Sequence, residues 1–290
     1  MKSSLTALLV TFLFAFSLSL HAQNDQAFVI YNAKGKKVSY KKMKKKVLEG
    51  EYVFFGEYHD NPISHWLQFE LLKDLHAKHG TSLKIAFEML EQDQQMRLND
   101  FMISKISDKE FKDSMRLWPN YKTDYQPIVQ YAKENGLFCL ASNVPRKYAS
   151  LLFKKGRAAL DTLSEVEKAY MAPLDFVVDS TLSQYAALLE AGQHMGGNRL
   201  MEAQAFKDAT MAHFMKLNKR PGDIFYHLNG AYHSDFHQGI MWYVQQFDAQ
   251  AKFVTISTVT QETSIKKLDK EHLGRADFII CVPESMTRTH

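Results

Sequence analysis

Six short apolar runs punctuate this chain: Tyr52–Phe55, Leu83–Phe87, Leu137–Ala141, Ile224–Leu228, Phe253–Ser257 and Phe278–Val282. Each is rich in Phe, Ile, Val or Leu, as strands are when both faces are covered. Helical patterns lie between them. Asn61 is placed to cap a helix that begins at Pro62 and carries Ile63, Trp66, Leu67, Leu71 and Leu75 on one face. Tyr125–Asn135 reads as another helix, stopped by Gly136. Strands alternating with helices predict an α/β fold, a mostly parallel central sheet with helices on both faces. From about 145 to 218 the rhythm breaks, with helices at Ser164-Glu165-Val166-Glu167 and Glu202–Leu217 and no convincing strand. This stretch reads as a helical insertion capping the strand carboxyl ends. Within it, Ala191–Asn198 could be a loop over the pocket, with a surface connection as the favoured reading.

The start of the chain bears on its compartment. Lys2, the weakly polar-to-apolar stretch Leu5–Leu20 and the small-residue site at His21-Ala22-Gln23 have the form of a signal peptide, cut after Ala22. The expectation is a single domain over 23–290, exported to the periplasm or cell envelope. No later segment approaches the ~20 apolar residues of a membrane span, and no cysteine near the cleavage site offers a lipid attachment point. Cys139 and Cys281 sit in apolar runs and read as buried free thiols; the absence of Cys-x-x-Cys excludes a finger-type zinc site. Much of the positive charge lies between Lys34 and Lys46. That run reads as the solvated face of a short helix, with acidic lipid or nucleic acid as the other partners it could meet. It has no aromatic interleaving and no nucleic-acid motif, so nucleic acid is set aside.

Two copies of one motif carry the functional reading. Gly56-Glu57-Tyr58-His59 and Gly230-Ala231-Tyr232-His233 each follow a strand candidate. Ligands of open α/β sheets lie beyond the strand carboxyl ends, so the two histidines are expected to share one cleft. Glu88 ends another strand candidate, where a carboxylate is costly without a partner. Glu57, His59, Glu88 and His233 together form a set that suits general acid–base catalysis. His59, Glu88 and His233 could equally hold zinc, manganese or iron. Tyr58 and Tyr232 are weaker candidates for a haem iron. Asn143 and Arg146 follow the third run; Arg146 could grip a substrate carboxylate or pair with Glu57 or Glu88 at the cleft wall. His65 and His237 could extend the site, with surface positions as the favoured reading, and His194 and His227 carry no assignment. No His-Glu-x-x-His, Gly-x-Ser-x-Gly, P-loop or dinucleotide fingerprint is present.

In order and spacing these stretches resemble the ChaN-like haem-binding family, in the superfamily of TIKI proteases, TraB and the erythromycin esterases. The matching segments are Phe54–Pro62, Ala86–Met89, Tyr125–Ile128, Ser142–Arg146, Gln204 with Asp208, Met211 and Ala212, and Asn229–His233. The resemblance implies an exported haem-binding protein used in iron or haem uptake, with haem as ligand and an outer-membrane transport system as partner. Relatives in the superfamily are hydrolases, some metal-dependent, so a metal-dependent hydrolase using Glu57, His59, Glu88 and His233 is the alternative. Family members are often lipoproteins; this chain departs from them in lacking a lipidation cysteine.

Overall fold

In the computed structural model, residues 26–192, 198–262 and 265–289 are described. The elements follow as β1 (Val29–Asn32), α1 (Tyr40–Val47), β2 (Tyr52–Glu57), α2 (Pro62–His79), β3 (Leu83–Glu91), α3 (Gln95–Met102), α4 (Asp108–Ser114), α5 (Gln126–Glu134), β4 (Phe138–Asn143), α6 (Arg146–Lys155), α7 (Glu165–Lys168), α8 (Ser183–Gly192), α9 (Arg199–Asn218), β5 (Ile224–Gly230), α10 (Ile240–Phe247), β6 (Phe253–Gln261) and β7 (Phe278–Pro283). The strands form one sheet in the order β1-β7-β6-β2-β5-β3-β4. All neighbours are parallel except β1, which runs antiparallel to β7. This is the α/β class the sequence predicts.

Alternation along the strands sorts the core into two layers. Val53, Phe55, Ile85, Phe87, Tyr226 and Leu228 pack with Leu67, Leu71 and Leu75 of α2 and Ile128 of α5. Tyr52, Phe54, Ala86, Leu140 and Phe225 pack on the opposite face with Leu152, Met211, Met215 and Val244. The helical stretch after β4 is therefore also the crossover to β5, and α9 covers a face of the sheet as well as reaching its carboxyl end. Asn61 caps α2 as expected, its Oδ1 accepting from the Ser64 amide at 3.0 Å.

Two expectations fall on residues beyond those described: the leader at 1–22 and most of Ala191–Asn198. Cys139 and Cys281 are buried and free. Among the described residues, no helix is long and apolar enough to cross a membrane. Strand β1 is a seventh strand beyond the six runs; it overlaps the apolar run Ala27–Tyr31 and pairs antiparallel at the sheet edge.

The register fixes the site. β2 and β5 are neighbours, with Gly56 opposite Asn229 and Glu57 opposite Gly230. The two Gly-x-x-His loops therefore leave the sheet side by side. Gly56 is required by that proximity: a Cβ there would stand 2.8 Å from the Ala231 Cα.

Candidate functional site

Glu57 is the last residue of β2, and its carboxylate is buried. Its Oε1 accepts from His59 Nδ1 at 2.9 Å and from the Tyr125 hydroxyl at 2.5 Å. Its Oε2 accepts from the Gln68 amide and lies 3.7 Å from His65 Nδ1. Burial alone would raise the Glu57 pKa, but the His59 hydrogen bond, the His65 and His59 charges and the Tyr125 hydroxyl bring it below the usual carboxylate value. An ionised carboxylate is acceptor-only, so His59 Nδ1 must carry a proton. That leaves Nε2 as the outward nitrogen.

His59 itself is 38% exposed. Burial would lower its pKa, but the hydrogen bond to Glu57 and the Glu88 charge prevail and raise it. The ring is held from two sides. Trp118 meets it edge-on at 4.7 Å between centroids. On the other side, a Cβ on Gly230 would come within 2.8 Å of Nε2. Glycine in the second motif thus makes room for the histidine of the first.

Glu88 sits where β3 breaks register with β4, after Phe87. The irregularity aims its carboxylate toward β5. Oε2 accepts from the Gly230 amide at 2.6 Å, and Oε1 is 3.1 Å from His233 Nε2. His233 Nδ1 bonds Asp208 Oδ1 on α9, and Asp208 Oδ2 accepts from Tyr185 on α8 at 2.7 Å. One imidazole therefore bridges two buried carboxylates. Burial would lower its pKa, but Glu88 and Asp208 push it up to about 10. His233 is an imidazolium at neutral pH, with both N–H groups donating. Glu88 is held well below its usual range: burial opposes ionisation, and His233, His59 and the Gly230 amide overcome it. Asp208 moves the other way, raised by burial and the Glu88 charge against the pull of His233.

These groups open onto a cleft of about 720 Å³, within the range of small-molecule sites. Glu57, Tyr58, His59, Glu88, Tyr232 and His233 all line it, as does Gln204. The expected convergence of His59, Glu88 and His233 is found. Their reading as metal ligands is not: among the described residues no group of three or more His, Cys, Asp or Glu side chains is placed to hold a metal ion. The physical reason is that both His233 nitrogens donate to carboxylates and have no lone pair to offer.

Two further expectations are corrected. Asn143 does not face the cleft; its amide donates to the Glu88 carbonyl at 3.0 Å and braces the irregular turn of β3. Arg146 is exposed and lines a separate cavity with Glu91, Arg116 and Trp118. It begins α6 and is absent from the lining of the cleft that holds Glu57 and Glu88. Tyr58 and Tyr232 do line the cleft, but the Tyr232 hydroxyl donates to the Gln184 carbonyl. Burial, with Asp208 and Asp235, pushes its pKa up to about 12. Burial likewise raises Tyr58, against the pull of Arg275. His65 is buried in the Glu57 network rather than on the surface. His237 lies outside the cleft lining and bonds Thr255 at 3.2 Å. His227 lies within β5 between Ser142 and Asn229, its pKa lowered to about 4 by burial.

Tyr125, Gln68, Asp208, Tyr185 and Trp118 had no assigned role. Asp208 and Tyr125 stood among the matching segments, which was the only signal for them.

The comparisons with known proteins accord with this geometry. The model of the haem-binding uptake family, ChaN, of the Tiki superfamily matches residues 43–244. The chain belongs to the ChaN family. A solved ChaN of Campylobacter jejuni, described as binding haem cofacially, superposes with a TM-score of 0.66 at 20% identity, covering 88% of this chain and 97% of that one. An erythromycin esterase, solved as a histidine-to-asparagine mutant in its open conformation, aligns with a TM-score of 0.51 at 11% identity over 90% of this chain and 98% of that one. At these identities the two structures establish a shared fold. A chloroplast RETICULATA-RELATED protein of Arabidopsis thaliana is 25% identical over 139 residues, 46% of this chain but only 18% of that relative's length.

Proposed function

We propose that this member of the ChaN family binds haem in the cleft between its two Gly-x-x-His loops, with His59 Nε2 as iron ligand, and serves haem or iron uptake outside the cytoplasm. One observation carries the reading: of the four ligand candidates, His59 alone combines an anchored ring with an uncommitted donor atom. His233 has both nitrogens engaged, the Tyr232 hydroxyl is spent on a carbonyl, and Tyr58 is a phenol whose pKa burial raises, so it resists the ionisation an iron-bound tyrosinate needs. A histidine whose other nitrogen donates to a carboxylate is how proteins orient imidazole toward a metal. Haem, when bound, would supply an iron centre that the His59 imidazole could ligate. The chain supplies Glu57 to fix the tautomer and Trp118 to hold the ring. Lys207, a cleft residue with no ion pair among the described residues, offers a cation for a carboxylate. Apo-protein titrated with haemin is expected to develop a saturable, shifted Soret band. The spectrum of free haemin persisting at high protein concentration would count against haem binding.

Export, without lipidation, and handover to an outer-membrane transport system belong to the same proposal. Amino-terminal sequencing of envelope material is expected to begin at Gln23. Soluble cytoplasmic protein retaining Met1 would oppose it.

A second reading, hydrolysis, is favoured by the way the Glu57–His59 pair and the Glu88–His233 pair line one cleft. With His233 charged and donating, acid–base work would fall to His59. Its expected signature is ester turnover that survives EDTA and disappears in His59→Ala. A panel of esters left intact by the wild-type protein would remove this reading. Turnover abolished by EDTA would instead restore the metal-dependent version.

A further inference from the structure

Eight lysines fall between positions 34 and 46, and no acidic residue does. Their charge exceeds the formal +4 of the whole chain, so the remainder is net acidic. Helix α1 turns Met43 and Val47 into the core. Lys41, Lys42, Lys45 and Lys46 are left exposed, as are Lys34, Lys36 and Lys37 of the preceding turn. Lys44 spends its charge on Asp74 at 3.1 Å, and Lys46 meets Glu49 at 3.8 Å. The other six lysines make no ion pair among the described residues. Helix electrostatics explain only part of this. Lys44, Lys45 and Lys46 occupy the last turn, where cations suit the helix dipole. Lys41 and Lys42 occupy the first turn, where cations oppose it, and like charges three and four residues apart repel. An eight-residue helix bears this load with no acid in its first turn.

We propose that this face docks on an anionic lipid surface. A folded lysine face meets phosphate headgroups with its charges already assembled, and each lysine near an anionic bilayer strengthens the attraction. Lipid is favoured over nucleic acid by an exposed aromatic on the helix to which α1 is tied. Trp66, 51% exposed, lies on α2 and packs edge-on against Phe28. The same helix carries Asp74, to which Tyr40 and Lys44 tie α1. An exposed indole on the helix that anchors a lysine-rich one matches the composition of proteins that lie at the headgroup level. The inference is independent of what the cleft binds.

The test is sedimentation of the purified protein with vesicles of phosphatidylcholine alone and of phosphatidylcholine mixed with phosphatidylglycerol, at low and high sodium chloride. Wild-type protein is expected to bind the mixed vesicles only, and to be released by salt. Combining Lys41→Glu, Lys42→Glu and Lys45→Glu should lower partitioning by on the order of 100-fold. Combining Lys41→Arg, Lys42→Arg and Lys45→Arg should preserve it. Trp66→Ser should weaken vesicle binding further. Circular dichroism is read on each variant, and the arginine variant serves as the folded comparison if the glutamate variant is unstable. Equal binding to both vesicle types, or unchanged binding in a folded glutamate variant, overturns the proposal. So does tighter binding to a duplex oligonucleotide than to mixed vesicles at the same salt.

Discussion

His59→Ala is expected to weaken haemin binding on the order of 100-fold or more and to abolish the shifted Soret band, while costing about 1–3 kcal/mol of stability, because the buried Glu57 carboxylate loses one donor and keeps Tyr125, Gln68 and His65. His59 is the most accessible of the site imidazoles, so its removal opens little core. Its loss would nevertheless take the one uncommitted nitrogen from the cleft. Glu57→Gln should cost about 10–100-fold through the ligand's orientation rather than its identity, as loss of a carboxylate behind a ligating histidine does. Gly230→Ala should act in the same direction without touching either group. The added Cβ would need the space held by His59 Nε2 and Cε1, at 2.8 and 2.9 Å. The pH dependence has a definite sign. Iron and proton compete for Nε2, and the His59 pKa is raised by Glu57 and Glu88 against its burial. Haem affinity should therefore rise with pH across the titration of His59 and fall on acidification. Tyr58→Phe and Tyr232→Phe should leave the band in place. The opposite pattern, a band lost with either phenol and kept in His59→Ala, would move the ligand to a tyrosine.

The contrast between what was legible and what was not has physical causes. The strands were readable because a sheet covered on both faces demands continuous apolar runs. The site was partly readable because Gly56 and Gly230 stand where no side chain fits, and such glycines follow strands conspicuously. The strands' true ends were not legible: Glu57, Glu91, Asn229 and Gly230 belong to β2, β3 and β5, yet polar residues end an apolar run by eye. Asp208 was hidden because it lies in the middle of a twenty-residue helix and reaches the cleft only through tertiary packing. Arg146 misled for the converse reason. It is close in sequence to strand β4, and sequence proximity to a strand end does not fix the direction in which the following helix leaves. Asn143 sits at the right end of its strand, but its side chain serves the neighbouring backbone.

Glu88→Ala is expected to be the most destabilising single change in the cleft, by about 2–6 kcal/mol, because it leaves two buried donors without an acceptor at about 1–3 kcal/mol each, while the His233 charge stays paired with Asp208. Glu88, His233 and Asp208 are almost wholly buried. Without Glu88, the Gly230 amide and one His233 N–H both lose their acceptor. Glu88→Gln keeps an acceptor there and should cost less, about 1–3 kcal/mol. Chemical denaturation measures both. The pH profile separates charge from packing. His233 is raised from 6.5 to about 10, so its contribution is complete below 6.5 and is lost as pH rises through 10. Glu88 is lowered from 4.5, so its contribution is complete above 4.5 and is lost as pH falls through its folded value. The two overlap fully only between about 4.5 and 6.5. Asp208, raised rather than lowered, costs stability of its own once it ionises, although its charge helps hold the proton on His233. Wild-type stability should accordingly decline toward alkaline pH as His233 gives up its proton. In Glu88→Ala that decline should begin at lower pH, because the largest influence holding the proton on His233 has gone. A denaturation midpoint unchanged by Glu88→Ala, with an unchanged alkaline limb, would mean that the carboxylate and the imidazolium are not a pair.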